Sequence, residues 1–367
     1  MMGLRKKDQS KPRVKRQARA VGVISTVRVR AVAPSRIKDA SIETLRGIAI
    51  ALMVAGHVIG DDGLRGLHVA DHSAWRYFYY CFEYLRMPLF TVISGYLYGG
   101  RPATAASYGQ LLRGKARRLL IPFAVVSTAQ YLVQCAVPSG AINESVSLSR
   151  LPMIYLIPYA QFWFLPALFG IFVIVGALDA GKRLERPPQW LCWWVLAAIV
   201  HVADKALVPV DVLGLRGLTR LVPFFFLGYG LRRHAATLLT PRAIPALAAV
   251  FLLSFGLQQA IFFLQPGDVE RNRLLGLFVA TSGIPLLFRW RPTIPAMAWL
   301  GGYAYTIYLF HVFGATGGRL AMRAMHLHAT PLLFSAALAG GLILPIAAQH
   351  LLERSAITRK YVLGLNA

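Results

Sequence analysis

The chain has 367 residues, of which 56% are hydrophobic and only 15% are charged, and its mean hydropathy is +0.52. A soluble protein of this length has fewer apolar residues and more evenly spread charge, so the composition excludes an ordinary soluble enzyme. The net charge of +25 lies mainly between long apolar runs, which indicates topology signals rather than a nucleic-acid-binding surface. We therefore predict an all-α, polytopic transmembrane helical bundle whose partner is the lipid bilayer, with no nucleic acid.

Residues 1–38 form a basic segment without an apolar run long enough for a signal peptide. We predict a disordered cytoplasmic tail that contacts anionic lipid head groups; the simpler alternative is a solvated tail that only sets orientation. The transmembrane domain is predicted to cover residues 39–355, and residues 356–367 to form a cytoplasmic C-terminal tail. The cysteines have no CxxC spacing, which predicts neither a metal site nor a disulfide framework.

About ten apolar segments are long enough to cross a bilayer, because a helix rises about 1.5 Å per residue and needs about 20 residues. Lys and Arg favour the connections that lie on the side of the termini, so both termini are predicted to be cytoplasmic, in a cell inner membrane. Gly95 and Gly99 in the second span predict a close helix contact. The predicted spans are 42–60, 77–99, 119–138, 158–178, 189–203, 219–231, 243–264, 274–289, 296–317 and 331–352.

The first span carries a cation at one end and an imidazole at the other, in the stretch TLRGIAIALMVAGH. Arg46 and His57 are close to three helical turns apart, so both side chains lie on nearly the same helix face, separated by about 16 Å. Because charge is costly in a bilayer, such residues normally face a cavity or each other. We predict one cavity lined by both residues, with Arg46 near the cytoplasmic face and His57 toward the outer side.

Other polar side chains are predicted at the same outer depth. Glu83 and Arg86 come early in the second span on one helix face, and His311 lies near the outer third of the ninth span. Gln161 and Trp163 begin the fourth span, on the side expected for an acceptor. These residues converge in depth, but the sequence does not show whether they converge laterally.

Each of these residues also has a plainer interpretation. An interfacial histidine can be hydrogen-bonded to a backbone carbonyl, a tryptophan can belong to the aromatic belt, and Glu83 with Arg86 can form a structural ion pair. Arg46 can extend its side chain to the inner interface. Both sets of interpretations stay open on the sequence alone.

Four basic residues are predicted in the cytoplasmic loop before the third span, in the stretch GQLLRGKARRLLIPF. Arg113, Lys115, Arg117 and Arg118 suit a polyanion such as the phosphates of a nucleotide-type donor. The alternative is an anchor that only follows the positive-inside rule.

Together these residues resemble the acyltransferase 3 family of integral membrane O-acyltransferases, and most closely the subgroup named for fucose 4-O-acetylase. The resemblance covers about residues 40–355, and it implies that Arg46 and His57 are catalytic-motif residues and that Arg117 and Arg118 belong to a donor-binding loop. It rests on six stretches in order: SIETLRGIAIALMVAGH, RMPLFTVISGYLYG, KARRLLIPF, QFWFLPALF, VPFFFLGYGLRR and LGGYAYTIYLFH.

The resemblance implies transfer of an acyl group, with acetyl as the simplest choice, from cytoplasmic acyl-CoA to a hydroxyl of a cell-surface or lipid-linked glycan. Acyl-CoA is expected as a co-substrate, with no permanently bound cofactor and no metal. In the expected mechanism His57 activates the hydroxyl, Glu83 orients His57 or an adjacent donor, and Arg86 or His311 stabilises the oxyanion. Arg46 holds the pantetheine or phosphate end of acyl-CoA. The alternative function is a transporter of glycans or small molecules with an intramembrane proton relay. The sequence leaves the oligomeric state open.

Overall fold

The computed structural model describes residues 39–137, 146–264 and 272–365 of the chain. The predicted tail of residues 1–38 lies outside these residues. Within them the chain forms α-helices, two 3₁₀ helices (Leu148–Tyr155 and Ala160–Trp163) and no strand, which confirms the predicted all-α class. The α-helices are α1 (Ala40–Ile59), α2 (Ala74–Cys81), α3 (Glu83–Gly99), α4 (Tyr108–Ala136), α5 (Phe164–Ala180), α6 (Pro187–Val202), α7 (Asp204–Leu207), α8 (Leu215–Arg233), α9 (Ala235–Leu238), α10 (Ala243–Leu264), α11 (Arg273–Trp290), α12 (Pro295–Gly302), α13 (Ala304–Ala324), α14 (Thr330–Leu352) and α15 (Ala356–Tyr361).

Helix α1 is the central element of the bundle, and both of its ends are defined by specific residues. Asp39 Oδ1 accepts from the backbone N–H groups of Ser41 at 3.1 Å and Ile42 at 3.4 Å, which begins the helix. Gly60 has a φ of +89°, a conformation that suits glycine and ends the helix. Most side chains between them are buried against α3, α12, α13 and α14. His57 is therefore carried by the last turn of a firmly packed helix.

Two predicted spans are interrupted rather than continuous. The second predicted span is divided at Phe82 into α2 and α3, and the ninth is divided at Tyr303 into α12 and α13. The second break follows two glycines, which weaken a helix because they have no side chain. Gly301 also lets α12 approach α1 closely, since a Cβ at this position would lie 2.0 Å from the carbonyl oxygen of Glu43.

Each of the ten predicted spans contains a helical segment, but the count of ten crossings stays a prediction. By length and composition, five helical segments of the described chain are long and apolar enough to cross a membrane. The others are short, as α3 and α6 are with 17 and 16 residues, or they carry arginines and glycines that lower their hydropathy. The five segments are Ala40–Ile59, Tyr108–Ala136, Leu148–Ala180, Ala243–Leu264 and Thr330–Leu352.

Glycines also permit a close helix contact between α3 and α8. A Cβ at Gly95 would lie 2.1 Å from the carbonyl oxygen of Phe225, and a Cβ at Gly228 would lie 2.0 Å from that of Val92. The backbones therefore touch directly, as small residues four apart allow in membrane bundles. The predicted contact surface of Gly95 and Gly99 is confirmed, and it faces α8.

Candidate active site

The helices α1, α3, α8, α11 and α13 contribute side chains to a cavity of about 710 Å³. The fold brings these helices together laterally, which the predicted depths of the residues along the membrane normal could not establish. Six residues predicted from the sequence line this cavity: His57, Glu83, Arg86, Gln161, Trp163 and His311.

The imidazoles of His57 and His311 face each other across this cavity. Their ring centroids are 5.0 Å apart, and the ring planes meet at 71° in an edge-to-face arrangement. His57 is exposed although its neighbours Gly56 and Val58 are buried, because its side chain borders the open cavity. His311 is fully buried. Helices α1 and α13 thus bring two imidazoles into direct contact at the wall of the cavity.

Backbone carbonyls fix the proton position on His311. Its Nδ1 lies 2.9 Å from the carbonyl oxygen of Tyr308 and 3.1 Å from that of Ile307. Carbonyl oxygens only accept, so Nδ1 carries the proton and the neutral ring keeps a lone pair on Nε2. Among the described residues this buried Nε2 has no hydrogen-bond partner. The plainer interpretation of His311 therefore accounts for one ring nitrogen and leaves the other available.

The guanidinium of Arg86 lies beside His57. Its Cζ is 4.0 Å from the ring centroid of Tyr79, a cation–π contact. A Cβ at Gly56 would lie only 1.8 Å from Arg86 Nη1, so the missing side chain is what lets the guanidinium pack against α1. His57, His311 and Arg86 are within electrostatic range of one another. The arrangement offers positive charge and N–H donors next to two imidazoles.

Gln161 and Trp163 form part of the cavity wall, from the 3₁₀ helix before α5. Gln161 Nε2 donates to Gln130 Oε1 at 2.8 Å, and the hydroxyl of Tyr308 donates to the carbonyl oxygen of Gln161 at 2.6 Å. The Trp163 ring occupies the space over Gly217, where a Cβ would lie 2.6 Å from it. The wall is held by buried hydrogen bonds and by a close ring–backbone contact, which gives the cavity a fixed shape.

Arg46 does not share the His57 cavity, contrary to the expectation of one cavity lined by both. Its Nη1 pairs with Glu43 Oε1 at 2.9 Å, one turn earlier on α1. It also interacts electrostatically with Arg118 on α4. Eleven residues of helix separate Arg46 from the imidazole, about 16 Å along the axis. The buried side chains in the middle of α1 occupy the space between them.

The basic group after α3 lies on a helix and not in a loop, because α4 already begins at Tyr108. Lys115, Arg117 and Arg118 line a groove of about 590 Å³ together with Arg101, which the sequence analysis did not single out. Arg113 is exposed and is not among the described residues that line the groove. Three of the four predicted donor-site residues therefore line the groove, and Arg113 does not.

The C-terminal segment packs against this groove. Arg118 Nη1 donates to the carbonyl oxygen of Leu363 at 2.8 Å, and its Cζ lies 4.1 Å from the ring centroid of Tyr305. Gly364 has a φ of +63°, and a Cβ there would lie 2.8 Å from the carbonyl oxygen of Arg117. Residues 356–365, expected as part of a tail, are thus folded onto α4 and supply one side of the groove through Gly364 and Leu365.

A buried carboxylate holds two arginines at the cavity. Asp204 is fully buried and receives Arg220 Nε at 2.7 Å and Arg273 Nε at 3.0 Å. Burial opposes ionisation of Asp204, but the hydrogen bond from Arg220 and the charges of both arginines outweigh it and hold its pKa below the usual value. Both arginines line the cavity, Arg220 from the second turn of α8 and Arg273 from the first residue of α11. Asp204 therefore fixes two cations that come from different helices.

Sequence reasoning missed much of the charge around the cavity. Arg220, Arg273 and Arg319 line it, although the predicted topology put them at span borders or in an outer connection. Arg319 lies on α13 because that helix continues to Ala324. Asp61 also lines the cavity. It follows His57 by four residues in the stretch HVIGD, and this spacing in the sequence could have predicted a carboxylate near the imidazole. Among the described residues no group of three metal-ligating side chains is present.

Comparison with known proteins gives one family and two relatives. A family model described as an acyltransferase domain matches residues 39–350. Nodulation protein NolL of Mesorhizobium japonicum is 26% identical over 194 residues, 52% of this chain and 47% of that protein. Nodulation protein NolL of Sinorhizobium fredii is 28% identical over 200 residues, 52% of this chain and 48% of that protein. The chain thus spans about half the length of the curated relatives it matches, and no solved structure matches it.

Proposed function

Because the chain belongs to the acyltransferase 3 family, we propose that it is a membrane O-acyltransferase that moves an acyl group from acyl-CoA to a hydroxyl of a glycan. Acetyl is the group we propose, as the simplest choice among the acyl groups carried by CoA. The observation that carries the proposal is the pair of facing imidazoles, His57 and His311, beside Arg86 in an accessible cavity. The glycan is a cell-surface or lipid-linked saccharide.

The chemistry needs a base for the hydroxyl proton and positive charge for the oxyanion. His57 takes the proton while the hydroxyl oxygen attacks the carbonyl carbon of the thioester. The N–H of the resulting imidazolium donates to the lone pair on His311 Nε2, which stabilises the charged ring. The C–S bond then breaks, the thiolate takes the proton from His57, and the products are an ester and free CoA.

We assign stabilisation of the oxyanion to Arg86 rather than to His311. A neutral His311 with its proton on Nδ1 has no donor left at Nε2, whereas the Arg86 guanidinium presents several N–H groups beside His57. Glu83 lines the same cavity, and we assign it the role of orienting His57 or an adjacent hydrogen-bond donor. Gln161 and Trp163 supply the wall on the acceptor side.

The basic groove is the proposed site for the phosphates of acyl-CoA. Lys115, Arg117 and Arg118 provide three cations, and contacts with Tyr305 and the C-terminal segment pre-organise Arg118. Arg46 lies at the same end of α1 and extends the positive potential toward the thioester. We propose that this end faces the cytoplasm of a cell inner membrane, together with both termini, and that the imidazole cavity opens outward.

Purified full-length protein, incubated with radiolabelled acetyl-CoA and a de-esterified surface glycan fraction, tests the proposal. We expect ester label in the glycan together with release of CoA thiol. A His57→Ala variant should lose about 10²–10⁴-fold in kcat, the usual contribution of a general base. The matched control is His350→Ala, because His350 is an exposed histidine on α14 outside the cavity.

Equal activity of the His57→Ala variant and wild type would refute the assigned base. Glycan binding without any CoA release in this assay, together with passage of glycan into vesicles that contain the protein, would instead favour the transporter alternative. The assay with purified protein needs no closed membrane, so it detects acyl transfer but not transport.

A further inference from the structure

The cavity that holds the imidazoles is strongly cationic. Five arginines and two carboxylates line it among the described residues, in addition to three histidines. A neutral sugar hydroxyl needs only a base and an oxyanion stabiliser, so this surplus of guanidinium groups exceeds what the chemical step requires. Some of the charge is used internally: Arg65 pairs with Asp61 at 3.3 Å, and Arg220 and Arg273 share Asp204.

Of the five cavity arginines, Arg86 and Arg319 have no carboxylate partner among the described residues. Arg86 packs on the Tyr79 ring and is already assigned to the oxyanion, which leaves Arg319. It is 8% exposed, lines the cavity and has no carboxylate within ion-pair distance in the described part of the chain. Its Nη1 donates to the carbonyl oxygen of Gly66 at 2.6 Å, but its buried Nε has no partner. A buried, unpaired guanidinium is costly, and a bound anion would offset that cost with charge-assisted hydrogen bonds.

The position of Arg319 relative to the imidazoles defines what such an anion belongs to. His311, Ala315, Thr316 and Arg319 all line the cavity from α13. Eight residues of helix separate His311 from Arg319, which is about 12 Å along the axis. This spacing is between backbone positions, and it leaves room for an anion at Arg319 that belongs to another part of the molecule than the carbon that is acylated.

We propose that the acceptor is an acidic glycan, and that Arg319 binds its carboxylate, sulfate or phosphate while the hydroxyl to be acylated lies at His57 and His311. This inference rests on the proposed acyltransferase function and specifies its substrate class. Arginine suits this role because its planar, permanently charged group matches all three oxyanions in a bidentate manner. Arg319 is then a specificity residue and takes no part in proton transfer.

The first test locates the esters. Surface glycans from cells that express the full chain are separated by anion exchange into neutral and acidic fractions, and O-acyl esters are measured in each. We expect the esters that depend on this protein in the acidic fraction. Esters confined to neutral glycans would overturn this inference and leave the proposed function standing. The absence of protein-dependent esters from every glycan would overturn both.

The second test uses purified full-length protein and three forms of the de-esterified acidic glycan: untreated, carboxyl-reduced, and freed of sulfate and phosphate. For wild type, removing the anionic group that is recognised should raise the acceptor KM about 10- to 100-fold, the cost of losing a charge-assisted hydrogen bond. The form that loses affinity identifies the anion. An unchanged KM for both treated forms would overturn the inference.

Variants separate anion recognition from a structural role of Arg319. Arg319→Gln should give the high acceptor KM with untreated glycan and no further rise after neutralisation, and Arg319→Lys should keep part of the difference. The matched control is Arg323→Gln, because Arg323 lies one turn later on α13 and outside the cavity. If Arg319→Gln raised the KM of charged and neutralised glycan equally, its bond to Gly66 would be its role; if it raised the KM of acyl-CoA, the anion would belong to the donor. Either result would overturn the proposal.

Discussion

A single methyl group at Gly56 provides a sharp test of the proposed oxyanion site. The side chain of Gly56→Ala would project toward Arg86, whose Nη1 lies 1.8 Å from the position of the new Cβ. This atom is the far end of a flexible side chain, so the guanidinium moves and the helix does not. Alanine is also the better helix former by about 1 kcal/mol, and the protein should therefore fold as well as wild type.

The size of the effect follows from the geometry. Ordinary contact begins at about 3.4 Å, so Arg86 Nη1 must retreat by about 1.6 Å from its present place beside His57. A displacement of about 1 Å in a catalytic group can cost about 10²-fold in rate, and loss of one oxyanion donor costs about 10²–10³-fold. We expect kcat to fall about 10²-fold, or roughly 2.7 kcal/mol of transition-state stabilisation. The donor KM should not change, because the basic groove lies at the other end of α1.

The assay is steady-state acyl transfer by purified protein, with CoA release and glycan ester measured together and melting temperature as the folding control. Gly317→Ala is the matched substitution. Gly317 lies on α13, the helix of His311, and a Cβ there meets no atom within 4 Å, so its kcat should equal that of wild type. A folded Gly56→Ala protein with kcat within twofold of wild type would refute the role of Arg86. A loss confined to donor KM would refute it as well.

Three further predictions concern the donor groove, the buried carboxylate and the packing of the bundle. Arg117→Gln with Arg118→Gln should raise the acyl-CoA KM at least about tenfold without changing the acceptor KM, whereas Arg113→Gln should change neither, since Arg113 is exposed outside the groove. Asp204→Asn should destabilise the protein by about 2–3 kcal/mol, less than a fully buried pair because its partners keep 27% and 17% of their side chains exposed. Gly95→Ala should lower stability by about 3 kcal/mol, because its Cβ would lie 2.1 Å from a backbone carbonyl of α8 that cannot move aside.

The outcome for Asp204 also has a pH signature. Its pKa is held below the usual value, so its stabilising contribution is fully present above the ordinary carboxyl pKa of about 3.9 and is lost as the pH falls through the lower folded value. Melting temperatures between neutral and acid pH should show this loss in wild type and not in Asp204→Asn. Equal slopes for the two proteins would contradict the pairing.

The other two predictions have their own refuting results. A donor KM that rises as much for Arg113→Gln as for the double variant would contradict the groove assignment. An unchanged melting temperature for Gly95→Ala would contradict the close contact of α3 and α8.

The two cavities lie toward opposite ends of α1, and this arrangement suits a reaction whose substrates come from different sides of a membrane. Arg46 and its neighbour Arg118 mark one end, and His57 with His311 marks the other. Buried apolar side chains of α1 lie between these ends. In the proposed mechanism, acyl-CoA held in the basic groove reaches the imidazoles only when this packed layer parts around its narrow arm, and a small acyl group needs the smallest opening.

The sequence by itself determined the class of the protein and the identity of its helices. Long apolar runs can satisfy their backbone hydrogen bonds in lipid only as helices, so composition and run length sufficed for the all-α bundle. Period and spacing also placed His57, Glu83, Arg86 and His311 at related depths, because position along a helix is proportional to residue number. The close contact surface of Gly95 could likewise be read from small-residue spacing.

Only the tertiary structure decided which of these residues meet. Lateral neighbours depend on how helices far apart in the chain rotate and pack, and no local pattern in one helix contains that information. The same limit explains why Arg46 was expected in the His57 cavity: helix phase put both on one face, but packing in the middle of α1 closes the space between them. It also explains why Arg319 was missed. Its place at the cavity depends on how α13 packs with other helices, and the sequence around it does not show that packing.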